Sequence, residues 1–241
     1  MAIKISKVFL LRKLHQITGI VPLGLFFGVH MLTNAKSMYG KEVFNSAVAD
    51  IHHLPFLLLI EIFGIFLPLV FHSVYGIMIS AEAKVNVGNY GYGRNWLYIL
   101  QRASGIFLFA FITFHLLHFR FGLFSSFGLT NVAVAGNADK AFTIVAADFQ
   151  KVWILIIYIL GVAATAWHLA YGIILFAVDW GIVIGEKAQN YLLKGVAAVG
   201  IGLFAVGTNA AFSFVRPCGL MPEFMCEQPK TTVKTVETKS F

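Results

Sequence analysis

The sequence predicts an all-α membrane protein with five transmembrane helices, four of which form a bundle around histidine side chains. Of its 241 residues, 59% are hydrophobic and 12% are charged, whereas an average soluble domain has about 25% charged residues. The apolar residues are concentrated in long blocks. A helix needs about 20 apolar residues to cross the bilayer core, and five blocks reach that length.

The five predicted helices are bounded by polar or glycine-rich sequence. They cover roughly Leu14–Leu32, Phe56–Ile79, Trp96–Phe119, Val152–Val178 and Tyr191–Val215. The first is predicted to be a retained helix, because Arg12 and Lys13 interrupt the apolar run that a signal peptide would need. In the second, Pro68 is expected to kink the helix near Gly64.

The lysines and arginines predict the orientation. More of them flank one set of helix ends than the other, which places the N-terminus in the cytoplasm and the C-terminus outside the cell inner membrane. Residues 1–217 then form the transmembrane domain, and residues 218–241 form an extracytoplasmic tail. The net charge of +7 is assigned to topogenic residues and contacts with membrane lipids, and no nucleic-acid partner is expected.

Four of the helices each carry a histidine in their apolar region, and ionisable residues inside a membrane are costly and usually functional. Alternating helix directions place them at two depths. His30 and His115 are predicted to lie near the outer face, and His72 and His168 near the inner face. With a rise of about 1.5 Å per residue, the two levels are roughly 15 Å apart.

Two imidazoles that face each other across a bundle suit a six-coordinate haem iron, which carries electrons and has no open position for a substrate. The pattern therefore predicts two b-type haems, with the four histidines as iron ligands. A CxxCH motif is absent, which excludes covalent c-type attachment. A zinc site is disfavoured because zinc needs three or four ligands at one level.

A weak internal repeat accompanies the histidines. Residues 14–20 resemble residues 100–106, and residues 71–76 resemble residues 167–172. Gly76 and Gly172 each follow a histidine by four residues, on the same helix face. Either they let a porphyrin approach the backbone, which is the favoured interpretation, or they permit close helix packing.

Polar residues at the predicted inner ends of the first and third helices are interpreted as partners for haem propionates: His15, Gln16, Gln101 and Arg102. The alternative for Arg102 is that its side chain reaches the lipid headgroups. Near the outer end of the second helix, Glu61 is predicted to transfer protons to or from a quinone at the level of the outer haem, the alternative being a structural hydrogen bond to another helix.

The chain has two cysteines, Cys218 and Cys226. In the predicted topology both lie outside the cytoplasm, where disulfides persist. They are expected either to form a bridge or to remain as two thiols in the tail.

Together these features resemble the di-haem cytochrome b membrane anchor of succinate:quinone oxidoreductases, the single-subunit, five-helix type of succinate dehydrogenases and fumarate reductases. The resemblance spans roughly residues 8 to 215. Its densest part comprises Leu54-Pro55-Phe56, Glu61-Ile62-Phe63, Phe66-Leu67-Pro68-Leu69, His72 with Val74-Tyr75-Gly76, Ala83-Lys84, Arg94-Asn95-Trp96 and Leu100-Gln101-Arg102, with His30, His115, His168 and Trp180-Gly181 beyond it.

The resemblance implies that His72 and His168 bind the haem nearer an iron–sulfur subunit, and that His30 and His115 bind the distal haem. It also implies an FAD-containing flavoprotein subunit and an iron–sulfur subunit on the inner face, and a menaquinone-like quinone as substrate. Dicarboxylate chemistry would take place in the partners. The sequence leaves open whether succinate oxidation or fumarate reduction is the physiological direction.

The chain departs from the pattern of some fumarate reductases at two positions. Ala166 stands where they have a glutamate that moves protons across the membrane, and Asp179 stands where some have a lysine near the inner propionates. Two rival functions remain at this stage: the cytochrome b anchor of another quinone-linked enzyme, such as hydrogenase or formate dehydrogenase, and a haem-free transporter.

Overall fold

The computed structural model describes residues 6–222, and within them five helices are long and apolar enough to cross a membrane. This confirms the predicted fold class. We call these helices the first to fifth spans. They cover Lys7–Tyr39, Leu57–Glu82, Gly93–Arg120, Val152–Asp179 and Glu186–Ser213.

The first three spans are interrupted by π-helical turns. In the first span, the π segment Gly19–Gly24 contains Pro22, which has no N–H to donate to the helix ladder. In the second, the π segment Ile60–Phe66 lies where Pro68 was expected to disturb the helix. The third span ends in the π segment Leu116–Arg120. Such turns rotate the following residues about the helix axis. The first two precede His30 and His72 in their spans, and the third directly follows His115.

Neighbouring spans pack in chain order around a central space. The first span packs on the second, the second on the third, and the third on the fourth. The fifth span packs along the fourth and also contacts the first. Large apolar side chains on the outer faces are exposed in all five spans, including Leu25, Phe63, Ile106, Leu160 and Ile201, as expected of faces that contact lipid.

Two short helices between the spans close one end of the bundle. They are Lys41–His52 and Ala141–Phe149, and they contact each other. Their aromatic side chains meet the end of the fifth span, where the rings of Phe44 and Phe149 contact the ring of Phe214 with centroids 5.1 and 5.5 Å apart. We call this the closed end, and the end at which the first span begins the open end.

Cys218 follows the fifth span and is buried and disulfide-bonded. Its predicted partner, Cys226, lies outside the described residues, so the pairing of these two cysteines stays a prediction.

Candidate functional site

A cavity of about 1340 Å³ runs through the bundle and is lined by residues of all five spans. At the open end its lining includes Arg12 and Lys13, and towards the closed end it includes Glu61 and Arg120. The four predicted ligand histidines all line it. An elongated cavity that extends past two levels of histidines can hold more than one cofactor-sized group.

The histidines face each other in the pairs that helix depth predicted. The ring centroids of His72 and His168 are 6.3 Å apart, and those of His30 and His115 are 5.6 Å apart. In each pair the ring planes are close to perpendicular, at 87° and 80°. Because an imidazole–metal bond is about 2 Å long, two rings that bind one metal from opposite sides have centroids roughly 6 Å apart. The spacing of both pairs therefore fits one metal between each pair of rings.

The pair nearer the open end has its second ring nitrogens occupied. His72 Nδ1 donates to the carbonyl oxygen of His15, at 2.9 Å, because a carbonyl can only accept. His168 Nδ1 lies 3.1 Å from the hydroxyl of Ser104, whose own proton goes to the carbonyl of Gln101. The Ser104 oxygen therefore accepts from His168 Nδ1. In both rings this leaves Nε2 without a proton and available to a metal.

Glycines make room for these side chains, and they reveal the structural meaning of the internal repeat. A Cβ atom added at Gly19 would lie 2.5 Å from His72, and one at Gly105 would lie 2.9 Å from His168. Conversely, a Cβ at Gly76 would lie 2.9 Å from His15. The first and second spans thus interlock as the third and fourth do.

Gly76 and Gly172 both line the cavity, so the favoured interpretation, that they let a porphyrin approach the backbone, stays a prediction. A Cβ at Gly172 would meet the amide of Gln101 at 3.6 Å, and Gly76 faces His15. These contacts also fit the alternative of close helix packing. Sequence reasoning could not name His15 and Gln101 as the neighbours, because it cannot show which side chain fills the space above a glycine.

The predicted propionate partners have varied surroundings. The ring of His15 stacks on His72 with centroids 4.1 Å apart, and its buried Nδ1 has no hydrogen-bond partner within residues 6–222. Gln101 Nε2 donates to the carbonyl of His168 at 3.1 Å. Gln16 accepts a hydrogen bond from the indole of Trp180. These polar groups therefore link helices around the pair nearer the open end.

Cationic side chains collect at the open end of the cavity. Arg102 lies over the ring of Tyr98, 3.8 Å from its centroid, and also lines the cavity with Arg12 and Arg94. Lys13 forms an ion pair with Asp179. Asp179 stands where the resemblance implies a lysine in some fumarate reductases. In this chain Lys13, from the first span, places a lysine side chain beside that position.

Glu61 forms an ion pair with Arg120 of the third span, with 2.9 Å between Oε2 and the guanidinium nitrogen. Its side chain is 17% exposed and that of Arg120 is 36% exposed. Sequence reasoning predicted a carboxylate at this depth but not its cationic partner, because the π turn at the end of the third span decides where Arg120 points.

A buried polar cluster near the closed end was not predicted. His118 is fully buried and lies 2.9 Å from a carboxylate oxygen of Asp148, which is 1% exposed. Burial alone would raise the pKa of Asp148, but hydrogen bonds from Lys151, the backbone N–H of Thr130 and His118 outweigh it and lower that pKa. The available signals were a histidine three residues after His115 and an acidic residue inside the apolar segment 141–149.

Fold and cavity together define a class: a multi-pass, all-helical membrane protein with paired histidines inside its bundle. Residues 84–208 match the family described as "Succinate dehydrogenase/Fumarate reductase transmembrane subunit". The chain is also 36% identical over 210 residues to the succinate dehydrogenase cytochrome b558 subunit of Bacillus subtilis (strain 168), covering 87% of this chain and 98% of that protein. No solved structure matches the chain.

The chain therefore belongs to the transmembrane subunits of the succinate dehydrogenase/fumarate reductase family. This confirms the family predicted from the sequence, and it decides against the anchors of hydrogenase or formate dehydrogenase and against a haem-free transporter. The roles of individual site residues, and the orientation in the membrane, stay predictions.

Proposed function

We propose that this subunit holds two b-type haems between its histidine pairs and transfers electrons between an iron–sulfur partner and a quinone. One observation carries the proposal: two pairs of facing imidazoles line one cavity, and the spacing within each pair fits one metal. The B. subtilis relative is a cytochrome b subunit by name, which supports haem b as the group.

The residues present fit such a group. Three of the four histidines have an Nδ1 hydrogen-bond partner, which sets the tautomer that a metal requires. Along the third span, ten residues separate Gly105, which faces His168, from His115. At about 1.5 Å per residue, the two levels are roughly 15 Å apart. A buried His15 nitrogen without a partner in the described chain also points to an additional group in this space.

In this proposal His72 and His168 hold the haem nearer the open end, and His30 and His115 hold the other. Arg102, Arg12 and Arg94 provide positive charge for propionates at the open end, and His15 and Gln101 position the ligand rings. A bound b-type haem takes up and passes on one electron at a time. All four rings line the cavity, and an iron held between two imidazoles would have no open position for a second reaction.

The quinone site is proposed near Glu61, towards the closed end. Glu61 lines the cavity together with Arg120, His52 and Asn34, which gives this part of the lining hydrogen-bonding groups amid an apolar surface. A quinol that gives up electrons must also give up protons, and a partly exposed carboxylate can accept them. The guanidinium of Arg120 fixes the position of that carboxylate through the 2.9 Å ion pair.

Two partner subunits complete the proposal. Membership in the family implies a flavoprotein and an iron–sulfur protein that carry out the dicarboxylate chemistry. We propose that they dock at the open end, which carries Arg12, Lys13 and Arg94 and lies nearer to His72 and His168. With the N-terminus inside, this end faces the cytoplasm.

The test is to count haems in single variants of the subunit purified with its partners. Wild type is expected to contain two b haems per subunit. His72→Ala and His168→Ala should each lose the same haem, identified by its redox potential, and His30→Ala and His115→Ala should each lose the other. Two haems retained in any of these variants would contradict that assignment, and the absence of b-type absorption in wild type would overturn the proposal.

A further inference from the structure

A hydrogen-bond chain leads away from His115 into the buried cluster at the closed end. The Nδ1 atom of His115 lies 3.4 Å from the hydroxyl oxygen of Tyr158, which in turn lies 3.1 Å from Nδ1 of His118. Nε2 of His118 lies 2.9 Å from Asp148. Lys151 then contacts the other carboxylate oxygen of Asp148, at 2.7 Å. The chain joins the third span, the fourth span and the short helix Ala141–Phe149.

The direction of each hydrogen bond follows from the acceptor at its end. The Asp148 carboxylate accepts from Lys151, from the backbone N–H of Thr130 and from His118 Nε2. Lys151 already neutralises the charge of Asp148. A second proton on the fully buried His118 ring would therefore create a positive charge without hydration, which is costly. A neutral His118 protonated at Nε2 has a bare Nδ1, which can only accept.

Tyr158 must therefore donate its O–H to His118, and its oxygen is left to accept from His115 Nδ1. The Nε2 atom of His115 is then unprotonated. This is the same tautomer that the carbonyl of His15 and the hydroxyl of Ser104 set at His72 and His168. The three rings thus have the same tautomer, but only the hydrogen-bond chain at His115 ends on a buried carboxylate.

We propose that Tyr158, His118 and Asp148 are positioning residues for His115, which fix its tautomer and ring plane and make it a more electron-donating ligand. The inference rests on the proposed function, because it assigns the redox properties of the haem that His115 would hold. Groups that accept a hydrogen bond from the outer nitrogen of a ligand imidazole raise its basicity. A more basic ligand stabilises the oxidised iron, so the chain lowers the potential of that haem.

Burial supports a role beyond ordinary packing. Tyr158 is 7% exposed, Asp148 1% and His118 not at all. A buried carboxylate and imidazole cost stability unless every polar atom is paired. Tyr158 belongs to an apolar cluster with Phe44, Phe149 and Phe214, and the ring of Phe119 stacks on His118. The hydrogen-bond chain reaches one of the predicted ligands, the imidazole of His115.

The experiment is a redox titration of the b absorption bands in the purified complex, with haem content and thermal stability measured on the same samples. Tyr158→Phe keeps the ring and removes the acceptor of His115. The potential of the haem that His115→Ala loses should rise by up to about 59 mV. For a one-electron couple this is a tenfold change in the equilibrium constant of reduction. The other haem is the internal control and should not change. Ser104→Ala is the reciprocal variant, which removes the acceptor of His168 and should raise the potential of the other haem alone.

Asp148→Asn is the second variant, for the case in which Tyr158→Phe does not assemble. It keeps an oxygen acceptor for His118 and removes the charge, so a smaller shift in the same direction is expected. A loss of thermal stability with both potentials unchanged would show a merely structural role and overturn the inference while leaving the proposed function intact. A shift of both potentials by equal amounts would also overturn it.

Discussion

At the scale of single residues, the site depends on the second nitrogen of each imidazole. His72 uses it for a backbone carbonyl, His168 for a serine hydroxyl and His115 for a tyrosine hydroxyl. These oxygens differ in strength as hydrogen-bond acceptors. Otherwise similar rings can therefore donate different electron density to a metal, so two haems of one chemical type can be given different potentials.

In the proposed function, Glu61 exchanges protons with the quinone. We expect Glu61→Gln to keep both haems and the turnover of dicarboxylate with artificial dyes, but to lower quinone-linked turnover by about 10²–10⁴-fold, the usual contribution of a general acid–base. Activity with a soluble quinone analogue, compared with dye-linked activity, measures this. Unchanged quinone-linked activity would exclude the role. Glu42→Gln, outside the spans, is the control carboxylate.

Asp148 should make the stability of the closed end depend on pH. Its pKa is lowered in the folded protein, so the ionised form contributes stability above the unfolded pKa, and this contribution is lost as the pH falls through the lower folded value. The groups that contact it are Lys151, His118 and the N–H of Thr130, and Tyr158 lies behind His118.

Asp148→Asn should therefore lower the free energy of unfolding by about 1–3 kcal/mol at pH 7, and the difference from wild type should shrink in acid. Thermal unfolding of both proteins in the same detergent, from pH 7 down to pH 3, tests this. A difference that stays constant over this range would show that the charge of Asp148 contributes nothing.

At the scale of helices, the bundle interlocks through glycine and imidazole. Gly19 receives His72 and Gly76 receives His15 between the first and second spans, and Gly105 receives His168 between the third and fourth. The π turn Gly19–Gly24 lies at this contact. The close approach of the spans thus fixes the position of the rings that line the cavity.

Adding one methyl group at Gly19 should displace His72. A Cβ atom there would lie 2.5 Å from Cε1 and 3.0 Å from Nδ1 of the ring, so we expect Gly19→Ala to lose the haem held by His72 or to shift its absorption band. The matched control is Gly28→Ala in the same span, where a Cβ meets nothing within 4 Å. Alanine is favoured over glycine in a helix by about 1 kcal/mol, so the control should be at least as stable as wild type.

If Gly19→Ala contained two haems with unchanged spectra, the ring of His72 would have to be mobile enough to give way. Haem per protein and the reduced-minus-oxidised spectrum, measured on both variants, distinguish these outcomes.

At the scale of the whole molecule, the two histidine levels and the proposed quinone position determine whether turnover moves charge across the membrane. Ala166 is buried in the fourth span at 2% exposure and has no group to carry a proton. The carboxylate that would return protons in some relatives is therefore missing at this position.

We predict that quinol–fumarate turnover by the complex in sealed proteoliposomes generates or consumes membrane potential. A potential-sensitive dye, with an ionophore as the control, measures this. An electroneutral reaction would show that protons follow another path. In that case Ala166→Glu should leave the dye signal unchanged, whereas in a potential-coupled enzyme it should reduce the signal.

The sequence by itself determined the class, the five spans, the family and the pairing of the histidines, because these depend on runs of apolar residues and on helix direction. These properties are local, and a membrane leaves few alternatives: each span has to be a helix that satisfies its own backbone. The resemblance of residues 8–215 to a known family added the expected partner subunits and the quinone, which are part of the proposed function.

Apart from the histidine pairs, only the tertiary structure decided which side chains meet. It paired Glu61 with Arg120, turned Gly76 towards His15 and joined His115 to Asp148 through Tyr158 and His118. The physical reason is the rotation of one helix against another. Periodicity gives the depth of a residue along its own helix, but the π turns at Gly19–Gly24, Ile60–Phe66 and Leu116–Arg120 reset the direction in which the following side chains point. Contacts between spans therefore depend on how the helices pack in three dimensions, which the periodicity of the sequence does not specify.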